Sequence, residues 1–366
     1  MAKLTPGVRL LRTLVRSARS QQKSGARLIA ALAPKPAKAS KPARKPAREQ
    51  QASAPRPRAP GKWLAGQYPP PLALGPTLAP ALPYWLYLPA RAPDAAGGRG
   101  WPLVVMLHGC QQSATQFADG SRMNQLAEEQ GYAVLYPQQG AHAQAQRCWR
   151  WYDRAVQEGG GEAATLAALV DDVCTRYRLD RGRVYACGLS AGAAMAAVLA
   201  LNYPERIAAV GRHSGPVFGA AHGGVAALQV MRHGAAAQGD AAIAAVLARA
   251  ADRPLPPMPA LLIHGDDDQV VRPVNQQQLA RQWLQLNGLS PEQAPRVALK
   301  AAGRGARRRT YALHDYLRGR KVVLRVVRIA GLGHAWSGGD PALKFNAEAG
   351  PDASRMLLDF FGRHRR

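Results

Sequence analysis

From about residue 65 onward, the sequence alternates short apolar runs with longer stretches of helical periodicity. Short apolar runs are typical of strands buried on both faces, and the stretches between them are long enough for helices that connect parallel strands. The alternation predicts an α/β fold, with a mostly parallel central sheet flanked by helices. The predicted strands are 85–88, 103–107, 133–136, 184–188, 208–212, 260–264 and 322–329. The predicted helices are 120–130, 162–177, 191–202, 274–286 and 352–363.

The interval 215–258 is rich in Ala and Gly and shows helical stretches around 224–232 and 240–251. We interpret it as a packed insertion that covers one side of the site, with a mobile lid as the alternative.

The strongest chemical signal is the pentapeptide GLSAG at 188–192, which follows a β-rich run and opens an Ala-rich helix. A serine hydroxyl becomes a useful nucleophile when it is exposed on a tight turn beside a base. The flanking glycines allow strand and helix to approach closely enough for that turn. Because the motif lies between a predicted strand and a predicted helix, we interpret Ser190 as a catalytic nucleophile.

Two later loops supply the partners that such a serine needs. The strand 260–264 is followed by three consecutive aspartates, and the spacing His-Gly-x-x-Asp-x-x-Val selects Asp268 as the acid that orients the base. The segment GLGHAWSGG at 331–339 follows the last long strand and contains His334, the candidate base. The chain order serine, aspartate, histidine is the order found in α/β-hydrolases. A divalent-ion site at the aspartates is the weaker alternative, because the ligands of Mg²⁺ and Ca²⁺ loops alternate along the chain.

Oxyanion stabilisation requires two main-chain donors near the nucleophile. One is expected from Ala191, which follows the serine. The other is expected from Cys110, in the segment HGCQ that follows the strand 103–107. No metal and no organic cofactor is needed for this chemistry.

Five motifs, in this order along the chain, resemble those of the poly(3-hydroxybutyrate) depolymerase family of esterases, which is similar to feruloyl and acetylxylan esterases. The motifs are LHGCQQ at 107–112, CWRWY at 148–152, GLSAG at 188–192, HG at 264–265 with Asp268, and GLGHAWSGG at 331–339. The resemblance covers about residues 80–363. It implies an α/β-hydrolase fold, the catalytic triad Ser190, Asp268 and His334, and an oxyanion hole formed by the amides of Cys110 and Ala191.

The resemblance also implies a disulfide between Cys110 and Cys148, which would tether the loop of Trp149 and Trp151 near the site. Two free, buried thiols are the alternative for a protein that stays in a reducing compartment. We further expect Trp149, Trp151 and Trp336 to line the ester pocket, although large aromatic side chains are more often part of a core.

The N-terminal region has a different composition. The formal net charge is +26, and residues 1–62 contain sixteen Lys and Arg against the single acid Glu49. Residues 1–33 are predicted to form a basic amphipathic helix that lies on an anionic or hydrophobic surface, such as a granule or membrane. An ordinary packed surface helix and an Arg-rich targeting peptide are the alternatives. Residues 34–64 are predicted to be a disordered Pro/Ala/Lys-rich linker, and residues 65–366 the α/β-hydrolase catalytic domain.

These features predict a serine esterase that hydrolyses poly- or oligo-(3-hydroxybutyrate) or short-chain esters through an acyl-enzyme. A feruloyl or acetylxylan esterase is the alternative substrate class. A noncatalytic surface or nucleic-acid binder, acting through the cationic tail, would explain the tail but not the triad, so we do not expect nucleic acid as a partner. The resemblance favours an extracellular location, whereas the lack of an apolar Sec-type stretch favours the cytoplasm or a granule surface.

Overall fold

The computed structural model describes residues 59–69, 81–91, 100–141, 143–250, 255–301 and 309–366. The predicted amphipathic helix at 1–33 and most of the predicted linker at 34–64 lie outside these ranges. The first described strand begins at Lys62, within the segment predicted to be linker.

The described residues form strands and helices in alternation along most of the chain. The strands are β1 Lys62–Tyr68, β2 Leu82–Leu88, β3 Leu103–Leu107, β4 Ala133–Pro137, β5 Val184–Leu189, β6 Ala209–His213, β7 Ala260–Gly265, β8 Arg296–Lys300, β9 Tyr311–Arg318, β10 Lys321–Ile329, β11 Trp336–Ser337 and β12 Asn346–Ala347. The helices are α1 Ala114–Ser121, α2 Met123–Gln130, α3 Arg154–Gln157, α4 Gly161–Arg176, α5 Ala191–Asn202, α6 Gly224–His233, α7 Ala236–Arg249, α8 Val274–Leu286 and α9 Ala353–Phe361.

The first ten strands form one sheet in the order β1-β2-β4-β3-β5-β6-β7-β10-β9-β8. The six strands from β4 to β10 in this order run parallel. The pairs at both edges, β1–β2–β4 and β10–β9–β8, are antiparallel. Because the carboxyl ends of parallel strands share one edge of a sheet, the loops that follow β3, β5, β6, β7 and β10 lie at that same edge. The predicted α/β class with a mostly parallel sheet is confirmed.

The central strands are buried along their whole length, as expected for strands covered by helices on both faces. Helix α5 is also almost entirely buried, and a glycine allows it to pack tightly on the sheet. A Cβ atom added to Gly192 would lie 1.9 Å from the carbonyl oxygen of Leu107. Only glycine therefore permits this distance between α5 and the end of β3.

The described part of the insertion 215–258 forms α6 and α7 and packs into the layer of helices. Gln282 of α8 donates hydrogen bonds to the carbonyl oxygens of Gly239 in α7 and Phe218 before α6. These buried contacts fit the packed insertion rather than the lid. No described helix is long and apolar enough to cross a membrane.

Several parts of the described fold differ from the prediction. Strand β1 and the hairpin of β8 and β9 were not predicted, because they lie at sheet edges and are only partly buried. The helix predicted over 120–130 consists of two helices, α1 and α2. They meet at Arg122, whose φ of 56° is left-handed and ends the first helix.

Candidate active site

Ser190 occupies the sharp turn between β5 and α5. Its φ is 57° and its ψ is −118°, a conformation that is uncommon for any residue except glycine. The turn is held by the Ser190 amide, which donates to the carbonyl oxygen of His213 on the neighbouring strand (3.0 Å). The residue is 8% exposed. This strained strand-turn-helix geometry is that of a nucleophile elbow.

Asp268 and His334 lie in the loops after β7 and β10, two adjacent parallel strands. The distance between His334 Nδ1 and Asp268 Oδ2 is 2.8 Å. Asp268 is fully buried, and its other oxygen, Oδ1, accepts hydrogen bonds from the amides of Val270 (3.0 Å) and Val271 (2.9 Å). The carboxylate is therefore fixed on one side by main-chain donors and on the other by the imidazole.

Further contacts join the two loops and set the separation of these side chains. The amides of Asp266 and Asp267 donate to the carbonyl oxygens of Ile329 (3.1 Å) and Leu332 (3.2 Å). Asp266 Oδ1 in turn accepts from the Gly331 amide. The main chain of both aspartates thus ties one loop to the other, and the side chain of Asp266 adds a third hydrogen bond between them.

The electrostatic environment keeps Asp268 ionised. Burial on its own would raise the pKa of Asp268, but the hydrogen bond and charge interaction from His334 lower it, as do His264 and the Val271 amide. The net pKa is below the ordinary value of an aspartate. A buried anion at this position can hold the tautomer of His334 and stabilise its protonated form.

His213 connects the histidine loop to the serine turn. The His213 carbonyl oxygen accepts from the Ser190 amide, and its Nε2 accepts from the Ser337 amide (3.2 Å). Trp336 stacks on the His213 ring, with centroids 5.2 Å apart. Burial lowers the pKa of His213 to about 3, so the ring is neutral and Nε2 can accept. The loop of His334 is therefore anchored over the end of β6, the strand next to the one that carries Ser190.

The segment after β3 passes close to Ser190. A Cβ atom added to Gly109 would lie 3.6 Å from Ser190 Cβ, and the Gly109 amide is held by Gln112 Oε1 at 2.8 Å. Among the hydrogen bonds of the described residues, neither the Cys110 amide nor the Ala191 amide has an acceptor. Ala191 is the first residue of α5, where main-chain N–H groups have no partner within the helix. Both amides are thus available to a ligand atom.

A second loop supports the Cys110 segment. Cys110 and Cys148 form a disulfide, as the family resemblance implied. The Gln111 amide donates to the Gln146 carbonyl oxygen at 2.7 Å, and Trp149 Nε1 donates to the carbonyl oxygen of His108 at 3.1 Å. The disulfide and these two hydrogen bonds restrict the position of the Cys110 amide.

His108 is buried beneath this segment. Its Nε2 accepts from the Gln139 amide at 3.1 Å, so the proton is on Nδ1, which donates to the carbonyl oxygen of Gly109 at 2.8 Å. Burial lowers the pKa of His108 to about 4. The neutral ring thereby joins the Cys110 segment to the end of β4.

All three tryptophans of the predicted pocket are buried. Trp149 and Trp336 are fully buried, and their indole N–H groups donate within the protein, to His108 and to Ser354 Oγ. Both indoles thus support loops of the site, and their contact with substrate stays a prediction. Trp151 is 4% exposed and packs in a cluster with Ala191. Its contact with substrate stays a prediction.

Sequence reasoning missed the part played by His213, and it used His264 only as part of the His-Gly spacing that selects Asp268. Both lie at the carboxyl ends of strands, β6 and β7, and this position was their signal in the sequence. Within the described ranges, no group of three His, Cys, Asp or Glu side chains is arranged to hold a metal ion.

Comparison with known proteins places this chain in a family. Residues 82–304, more than half of the chain, match the family model Esterase PHB depolymerase. Poly(3-hydroxyalkanoate) depolymerase C of Paucimonas lemoignei is 32% identical over 208 residues, which are 55% of this chain and 48% of that protein. Feruloyl esterase B of Thermothelomyces thermophilus is 29% identical over 199 residues, covering 51% and 66%. The chain thus spans about half to two thirds of the length of these relatives.

Among solved structures, acetyl xylan esterase from Aspergillus awamori aligns with a TM-score of 0.59 at 21% identity. The alignment covers 82% of this chain and 99% of that one. The likeness confirms the predicted α/β-hydrolase fold. Because the family model covers more than half of the residues, the chain belongs to the Esterase PHB depolymerase family.

Proposed function

We propose that this chain is a serine esterase in which Ser190 is the nucleophile, His334 the base and Asp268 the acid that orients the base. The observation that carries the proposal is the hydrogen bond between His334 Nδ1 and buried Asp268, in a loop anchored beside the left-handed turn of Ser190. This pairing leaves Nε2 as the imidazole nitrogen that can take a proton from a serine hydroxyl.

In the first half of the reaction, His334 accepts the hydroxyl proton while Ser190 Oγ attacks the carbonyl carbon of the ester. The amides of Cys110 and Ala191 donate to the oxygen that becomes negative, an interaction worth roughly 10²- to 10³-fold in rate for each donor. The carbon–oxygen bond to the alcohol then breaks, and the alcohol leaves with the proton from His334. The product is an acyl-enzyme on Ser190.

In the second half, His334 removes a proton from water, which attacks the acyl carbon. The bond to Ser190 Oγ breaks, the proton returns to that oxygen and the carboxylic acid is released. The same base therefore serves both halves, and Asp268 stabilises the imidazolium each time it forms.

For the substrate, we propose poly- or oligo-(3-hydroxybutyrate) or other short-chain esters. This choice is supported by the family model and by the relative named as a poly(3-hydroxyalkanoate) depolymerase. Feruloyl or acetyl esters of plant polysaccharides are the second candidate, supported by the relatives named feruloyl esterase B and probable acetylxylan esterase A.

The test compares the wild type with Ser190→Ala on p-nitrophenyl acetate and butyrate, hydroxybutyrate oligomers and methyl ferulate. We expect turnover by the wild type and a loss of several orders of magnitude in the variant, because no other group would form the acyl-enzyme. The substrate ranking selects between the two ester classes. Equal hydrolysis by Ser190→Ala would contradict the proposed mechanism, and no turnover by either protein would favour a binding role.

A further inference from the structure

A second histidine lies against the carboxylate of Asp268. His264, on β7, is 2% exposed, and its Nε2 is 2.7 Å from the carbonyl oxygen of Val271 and 3.5 Å from Asp268 Oδ2. Both atoms near Nε2 are acceptors, so the proton of the neutral ring must be on Nε2. The protonated nitrogen of His264 therefore lies 3.5 Å from the same carboxylate oxygen that pairs with His334.

The principal acceptor of this N–H is part of the turn that holds Asp268. The Val271 amide donates to Asp268 Oδ1, while the Val271 carbonyl oxygen accepts from His264. One imidazole thus fixes the turn from Asp268 to Val271 and at the same time lies beside the carboxylate. A group that only filled space would need neither contact.

We infer that His264 is a positioning residue, which fixes the Asp268 carboxylate so that its Oδ2 stays directed at His334. The inference rests on the proposed function, because it assigns a fourth residue to the same site. It gives a role to a buried polar side chain that the Ser190–His334–Asp268 mechanism does not use.

The charges around His264 agree with a neutral donor. Burial is the main cause that lowers the pKa of His264, and His334 and Arg212 lower it further, whereas Asp268 raises it. His213, on the adjacent strand β6, is buried and neutral as well. A neutral His264 can stabilise the Asp268 anion without replacing His334 as its charged partner.

The experiment compares His264→Gln with His264→Asn. The longer amide can place an N–H near the position of Nε2, whereas the shorter amide cannot reach it. We expect kcat of His264→Asn on p-nitrophenyl butyrate to fall roughly 10- to 100-fold, the loss typical of a misplaced catalytic group, with little change in KM. His264→Gln should recover most of this loss. In the pH profile of kcat/KM, the midpoint of the acid limb should shift in His264→Asn and return to the wild-type value in His264→Gln.

A second readout follows the nucleophile without turnover. The rate at which a fluorophosphonate labels Ser190 depends on the same alignment of His334 with Asp268, so it should fall in parallel with kcat. His364→Leu is the matched control, because His364 also has a pKa lowered by burial, to about 4, but lies in the C-terminal segment. This control should retain wild-type labelling and turnover.

Two results would overturn the inference. One is wild-type kcat and an unmoved acid limb in folded His264→Asn. The other is an equal loss in both His264 variants with an unmoved acid limb, since that pattern indicates a purely structural role. In both cases Ser190→Ala would still be inactive if the proposed function holds. Activity of Ser190→Ala would instead refute the proposed function itself.

Discussion

Asp268 uses both of its carboxylate oxygens, so we expect that an amide cannot replace it. Oδ1 accepts from two main-chain amides, and Oδ2 pairs with His334 Nδ1. In Asp268→Asn the remaining oxygen would be held by the two amides, which have no other acceptor in the turn. The new NH2 group would then face His334 Nδ1 and place the imidazole proton on Nε2, where it blocks catalysis.

We therefore predict that Asp268→Asn folds and loses about 10⁴-fold in kcat, as expected for the wrong tautomer of a catalytic histidine. The measurement is turnover of p-nitrophenyl butyrate, together with a urea titration that confirms folding. Asp267→Asn is the matched control, because that neighbouring carboxylate is exposed and has a single long contact, from Gln269 at 3.4 Å. A comparable loss in Asp267→Asn would contradict the choice of Asp268.

Single residues could be predicted from the sequence wherever a motif supplied a local context. Ser190 was predicted from its glycine neighbours, and His334 and Asp268 from their positions after strands. The contact between His264 and Asp268 could be expected from their spacing, but its function depends on the side chain of His334, which comes from another strand. The part played by His213 depends on the pairing of β5 with β6, which no local pattern encodes.

At the scale of elements, the loop after β4 is attached to the Cys110 segment by a covalent bond. The disulfide between Cys110 and Cys148 spans a sequence separation of 38 residues. Closing a loop of this length reduces the entropy of the unfolded chain, an effect of about 4 kcal/mol in the chain-entropy treatment. The bond therefore stabilises the fold as well as the position of one proposed oxyanion donor.

We predict that Cys148→Ser lowers the free energy of unfolding by about 2–4 kcal/mol and also lowers kcat, because the Cys110 segment is less restricted. Urea unfolding and ester turnover measure the two effects. As the control, dithiothreitol should shift the stability and the turnover of the wild type towards those of the variant. It should leave both quantities unchanged in the variant. Stability of the wild type that does not respond to the reductant would argue against the bond.

The sequence predicted central elements better than edge elements. Strands such as β3 and β5 are continuous apolar runs, because helices cover both of their faces. Strand β8 is an edge strand whose Val297 and Leu299 are 58% and 72% exposed, so it has no buried face that would produce a regular pattern. The break between α1 and α2 depends on the left-handed backbone conformation of Arg122. The amino-acid composition does not predict this conformation.

At the scale of the whole molecule, buried neutral histidines make stability depend on pH. The ordinary pKa of histidine is about 6.5, whereas burial lowers the pKa of His108 to about 4 and that of His213 to about 3. Below pH ~6.5 the unfolded chain binds protons that the folded chain does not, so stability must fall as the pH decreases. Asp268, whose pKa is lowered, adds a further loss only at more acidic pH, where its carboxylate becomes protonated.

We predict that the free energy of unfolding is constant near neutrality and decreases from pH ~6.5 towards pH ~4, by up to about 1.4 kcal/mol per pH unit for each buried histidine. Urea titrations at several pH values measure this slope. His108→Gln should make the slope less steep, whereas His222→Gln, at an exposed position, should leave it unchanged. Equal stability at pH 7 and pH 5 would be inconsistent with neutral buried rings.

The adjacency of β7 and β10 has a consequence for how this chain can vary. Asp268 and His334 are 66 positions apart, yet their loops leave neighbouring strands at the same level of the sheet, with His264 paired to Arg328. The intervening chain includes β8 and β9, which extend the sheet outward beyond β10. We expect residues gained or lost in that outer hairpin to change the edge of the sheet and to leave the loops of Asp268 and His334 in register. Changes in length should therefore be tolerated better in this hairpin than in the loops that carry Asp268 and His334.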